Sequence, residues 1–150
     1  MAKSLSKAGK SKQPSSPTTS TLKKLVWLEE PAEHDYPSAA SFLSLVAQGD
    51  EVEALTALLS QAPTVRQAAK DILRAAGLPL LAVDDPEVAK DLTRVADGVA
   101  LSPVLLVRGD IDTGRKLVVA DGYHRVCAAY HLDEDSAIPC RIVGLPAMTA

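Results

Sequence analysis

The chain has 150 residues, about half of them hydrophobic, which suits a single domain with a substantial core. Its net charge of −3 conceals an asymmetry: residues 1–24 carry six lysines and no acid, leaving ten basic and nineteen acidic residues, a net of −9, in the remainder. An acidic body repels nucleic acid at long range, and five aromatic side chains are too few for a multi-base stacking platform.

No apolar run approaches the roughly 18 residues of a membrane span, so no membrane partner is expected. The N-terminus lacks the apolar core of a secretory signal, which points to a cytoplasmic protein. Cys127 and Cys140 form neither a disulfide framework nor a zinc site and read as reduced packing residues.

Residues 1–22 are rich in Ser, Thr, Pro and Lys and read as a disordered tail. Two roles stay open for it, solubility or weak contact with a polyanion. Residues 23–150 read as one domain. Leu25–Leu28 is a short apolar stretch, either a first strand or a docking segment. The loop Glu29–Pro37 gathers Glu30, Glu33, Asp35 and His34. It supports two readings: a general base or metal-leaning site, or a solvated loop in which Asp35 caps the next helix.

Four helices are predicted next. The first runs from about Pro37 to Gln48, with Gly49 as its C-terminal stop. Asp50-x-x-Glu53 reads as a capping box for the second, whose core face is Val52, Leu55, Leu58 and Leu59. Thr64-x-x-Gln67 reads as a capping box for the third, which Gly77 ends; Ala68, Ala69, Ile72, Leu73 and Ala76 form its apolar side. Asp85-Pro86-Glu87 opens the fourth, with Val88, Leu92 and Val95 as its stripe. Lys70 and Lys90 sit in matching Ala-Lys-Asp strings; each is a phosphate-pocket candidate or part of a solvated face.

Beyond Gly98 the period changes. Pro103–Val107 and Lys116–Ala120 read as strands joined by a Gly109–Gly114 hairpin loop, and Ile138–Val143 as a last strand. The glycine spacing Gly109…Gly114 imitates a P-loop, but Arg115 replaces its lysine and a strand follows where a helix is needed.

Between the second strand and an Ala-rich helix lies Asp121-Gly122-Tyr123-His124-Arg125. A strand that turns sharply into a helix leaves free N–H groups that attract phosphate. Gly122 permits the bend and a close ligand approach. Arg125 can fork two phosphate oxygens, and His124 can donate to one or carry a proton. Tyr123 can stack on a base or sugar. Asp121 can cap the helix, orient Arg125 or hold a metal. The alternative is a capped surface helix in which Arg125 simply pairs with Asp121.

From Pro103 to Val143 the chain resembles the ParB/sulfiredoxin superfamily. The likeness rests on a strand opened by proline, a hairpin, a strand ending in Asp121-Gly122, the His124-Arg125 helix start and the closing Ile138-Pro139-x-x-Ile142-Val143 strand. It implies a nucleotide, ATP or another NTP or NDP with Mg²⁺, whose phosphates face Gly122, His124 and Arg125. Tyr123 stands where sulfiredoxins have their reactive cysteine, so sulfinic-acid reduction is not expected. The helix-turn-helix region of partitioning proteins has no counterpart, which argues against sequence-specific DNA binding.

The expected fold is therefore α/β, leaning to α+β, with a small mixed sheet and helices around it. Two functional classes remain, with a ParB-like nuclease as a weaker third. In one, a small phosphotransferase uses Glu30, Glu33 or Asp35 as base, with His124 in the catalytic set. Asp121, Gly122, Tyr123, His124, Arg125 and Lys90 then hold the nucleotide. In the other, a non-catalytic nucleotide-binding module regulates an unknown protein partner.

Overall fold

The computed structural model describes residues 25–145. The tail expected over 1–22 lies outside them.

Nine elements follow in order. They are α1 (Asp35–Leu43), α2 (Gly49–Gln61), β1 (Val65–Ala68), α3 (Ala69–Ala76), α4 (Pro86–Ala96), β2 (Val104–Val107), β3 (Val118–Asp121), α5 (Tyr123–Leu132) and β4 (Ala137–Val143). Five helices and a four-stranded mixed sheet make this an α+β arrangement. The strand order is β1-β4-β2-β3. β4 runs antiparallel to β1 and parallel to β2, and β2 runs antiparallel to β3.

β2 explains the layering. All four of its residues are buried, as in a central strand covered on both faces. Val104 and Leu106 join one core with α3, α4 and α5. Leu105 and Val107 join a second core with α1 and α2. The two-residue alternation of one strand thus serves two helical layers. A bulge between Leu105 and Leu106 leaves Ala120 as the extra residue on β3, just before the turn into α5.

Several sequence expectations change. Val65–Ala68 is the edge strand β1, not the first turn of a helix. Its backbone pairs with Ala137–Cys140, and α3 starts at Ala69 without a side-chain cap. The Thr64-x-x-Gln67 spacing is coincidental. α1 stops at Leu43, where Ser44 Oγ–H donates to the Ser41 carbonyl at 2.7 Å. Gly49 opens α2 instead of closing α1, and Glu51 accepts from the Gln48 N–H at 3.1 Å, so the box begins two residues before Asp50. Leu58 is 41% exposed and leaves the core face to Val52, Leu55 and Leu59.

Other expectations hold. Asp85 accepts from the N–H groups of Glu87 and Val88 at 3.0 and 3.2 Å, with Pro86 opening α4. Gly77 closes α3 at φ 65°. Leu25–Leu28 forms one bridge rather than a strand, Trp27 lying parallel to Leu101. No helix among the described residues is long and apolar enough to cross a membrane.

Candidate functional site

The β3–α5 turn begins with Gly122 at φ 113°, a region that strongly favours glycine. A Cβ there would lie 2.4 Å from Val104 Cγ1 and 2.9 Å from Arg125 Nη2. The expected space for a ligand beside Gly122 is occupied by the protein itself on that side. Glycine is needed because a core valine and the arginine pack against the bend.

Arg125 points inward, and its side chain is 17% exposed. Its Nη2 donates to Asp121 Oδ2 at 2.9 Å and to the Pro103 carbonyl at 3.3 Å, and lies 3.8 Å from Asp35 Oδ2. Its Nε is buried without a partner. The Asp121–Arg125 pair foreseen as an alternative is present, one turn apart, but mostly buried rather than on the surface.

Asp35 comes to this cluster from α1. It does not cap that helix: His34 holds the cap position, and Asp35 is 2% exposed in the first turn. Asp35, Ala39 and Leu43 recur every four residues, so one buried stripe carries the carboxylate into the core. Ser102 Oγ–H donates to Asp35 Oδ2, and the Ala32 N–H donates to Ser102 Oγ at 2.9 Å. His34 Nε2 lies 3.3 Å from Asp35 Oδ1. The loop is thereby fastened to the helix start through Ser102, a residue the sequence reading overlooked. The only sequence clue is a lone polar residue before Pro103 in an apolar stretch.

Two carboxylates surround one guanidinium. Burial pushes the Asp121 carboxyl above its usual value; Arg125 pulls the other way, and Asp35 adds to the rise. The cluster is already oversupplied with negative charge, so Arg125 offers little attraction to an added anion. Asp35 and Asp121 are likewise committed to Arg125 and do not fit a Mg²⁺ site. Among the described residues no three His, Cys, Asp or Glu side chains converge as metal ligands.

The remaining motif residues face a cavity of about 490 Å³. Its lining includes the apolar Ala76, Leu78 and Val119 and the polar Ser38, Asp121, Tyr123 and His124. The Tyr123 hydroxyl donates to the Pro79 carbonyl, which fixes the ring. His124 lies half-buried beside it, the ring centroids 5.6 Å apart. No side chain caps α5, and its first backbone bond runs from the Val126 N–H to the Gly122 carbonyl at 3.0 Å. The N–H groups of Tyr123, His124 and Arg125 precede that bond and have no hydrogen-bond partner among the described residues.

The other candidates lie apart. Glu30 and Glu33 are exposed and do not line this cavity. Lys90 is exposed on α4, 3.4 Å from Glu87. Lys70 pairs with Asp135 at 2.6 Å, and that partner raises its pKa. Cys127 and Cys140 are buried; burial pushes both thiols up, Cys140 to about 11, which suits inert packing residues.

The chain matches no family model, no curated protein and no solved structure.

Proposed function

We propose that this protein is a ParB/sulfiredoxin-like nucleotide-binding module whose ligand's phosphates meet the start of α5. One observation carries the reading: an uncapped helix N-terminus lines a largely apolar cavity together with a half-buried histidine. Free N–H groups suit a phosphate, and His124 can add a donor. The apolar walls and Tyr123 suit a base or sugar. Arg125 is a positioning residue in this reading, tying the turn to Asp121 and Asp35.

A binding module that regulates a protein partner is preferred over a phosphotransferase. Glu30 and Glu33 stand exposed away from the cavity, and Asp35 is engaged by Ser102 and Arg125. A base must reach the proton it removes, and no carboxylate in this arrangement is free to do so. A cytoplasmic setting belongs to the same proposal.

The test is a calorimetric panel of ATP, ADP, CTP and GTP, with and without Mg²⁺, on the full chain, His124→Ala and Ser38→Trp. At least one nucleotide should bind, His124→Ala should weaken it about tenfold, and the tryptophan should obstruct the cavity. Failure of every nucleotide to bind the wild type sinks the proposal. Binding unchanged in both variants places the nucleotide elsewhere and sinks this site.

A further inference from the structure

A second cavity, of about 570 Å³, lies between α3 and the β2–β3 hairpin. Ile72 and Ala75 of α3, Leu106 of β2, Ile142 of β4 and Leu117, just before β3, give it an apolar floor. Arg108, Arg115 and Lys116 stand exposed on its rim. Volume and lining fit a small-molecule site, apolar with a few convergent polar groups.

The surroundings of those cations are unusual for this chain. In the acidic body Lys70, Arg74, Lys90, Arg94 and Arg125 each pair with a carboxylate. Arg141 is buried, donating to the carbonyls of Leu59 and Ser60 at the end of α2. Among the described residues four other cations form no ion pair: Arg66, which donates to the Ala137 carbonyl at 3.4 Å, and Arg108, Arg115 and Lys116, which share one cavity. Of the two acids on its wall, Asp71 pairs with Arg74 at 3.0 Å, while Asp110 accepts from the Asp112 N–H at 3.0 Å and keeps its charge, set against the three cations.

The frame is held in place. The Asp110 and Arg115 backbones exchange hydrogen bonds of 2.8 and 3.0 Å, and the Leu117 N–H donates to the Ala75 carbonyl at 3.1 Å. The Lys116 ammonium approaches Gly77 at the end of α3, where a Cβ would lie 2.8 Å from Nζ. Arg108 and Arg115 therefore remain as the planar forks suited to an oxyanion. Ile111, at the loop tip, is 95% exposed and also lines the cavity, so an apolar occupant would cover it.

We propose that this cavity is a binding site for a small organic anion, with an apolar body on the Ile72–Leu106–Ile142 floor and a carboxylate or phosphate head on Arg108 and Arg115. The site is independent of the α5 start. Octanoate, octyl phosphate and octan-1-ol, titrated into the full chain and followed through isoleucine and leucine methyl resonances, test it. Both anions should shift the Ile72, Ile111 and Ile142 methyls, and the tighter one identifies the head. Octanol should bind about tenfold more weakly than the better anion, and Arg108→Gln/Arg115→Gln should reduce anion affinity by a similar factor. His124→Ala should leave the titration unchanged. Absence of shifts with either anion at millimolar concentration overturns the proposal. So does equal binding of octanol, undiminished anion binding in the double variant, or shifts confined to the Leu78 methyls beside the α5 start.

Discussion

Arg125 and Arg115 belong to the same run of hairpin and helix, yet their surroundings are opposite. Arg125 is mostly buried, with Asp121 at 2.9 Å and Asp35 at 3.8 Å. Arg115 is exposed on the rim of an apolar cavity, with no ion pair among the described residues. An arginine in a phosphate-like motif is thus not the same as a cation available to a phosphate. Coulomb attraction depends on what the charge already faces. In this chain the arginine with the suggestive sequence holds the fold together, and the inconspicuous arginine is free.

The largest test of that contrast falls on the turn itself. Gly122→Ala would place a side chain at φ 113° and drive a Cβ against Val104. Left-handed strain of ~1–2 kcal/mol and overpacking of ~1–3 kcal/mol together give a loss of about 5 kcal/mol at the upper end. Urea unfolding measures it. A loss below about 1 kcal/mol would mean that the bend is not packed as described and that Gly122 leaves room for a ligand after all.

Next in size is the arginine pair. Arg125→Ala removes the one cation between two largely buried carboxylates and should cost about 3 kcal/mol. Arg115→Ala removes an exposed, unpaired cation and should change stability by no more than about 0.5 kcal/mol. Equal losses in the two variants, measured by urea unfolding, would erase the distinction between a structural and an available arginine.

Local features were legible in the sequence and distant partnerships were not. Asp85-Pro86 announces α4 because a cap and an N1 proline act within one turn. Asp121-Gly122 before an Ala-rich run announces the β3–α5 turn for the same reason. β1 escapes because Arg66 and Gln67 face solvent on an edge strand; only pairing with distant β4 decides their conformation. Asp35 misleads because a carboxylate before an apolar helix reads as a cap, although its four-residue spacing to Ala39 and Leu43 already placed it on the buried stripe. The hairpin cavity is harder still. Its walls come from α3, β2 and β4, and the only local trace is the false P-loop spacing of Gly109 and Gly114.

The smallest expected effect concerns the proton on Asp121. Its carboxyl lies above the usual 3.8, first because burial disfavours the charged form, while Arg125 opposes the rise. The salt bridge alone would depress the value, so burial outweighs a pair only 2.9 Å long. A raised carboxyl pKa means that the folded protein holds the proton more tightly than the unfolded chain. The resulting stability is fully present below 3.8 and is lost as pH rises through the native value. Asp121 therefore adds stability on acidification, whereas an ion-paired carboxylate with a depressed pKa removes it. Asp121→Asn deletes the titration. The unfolding free energy of the wild type minus that of the variant should grow as pH falls from neutral to 3.8. A difference that shrinks instead would make Asp121 an ordinary salt-bridged carboxylate. Arg125 would then be held by a well-solvated partner, and its contrast with Arg115 would rest on Asp35 alone.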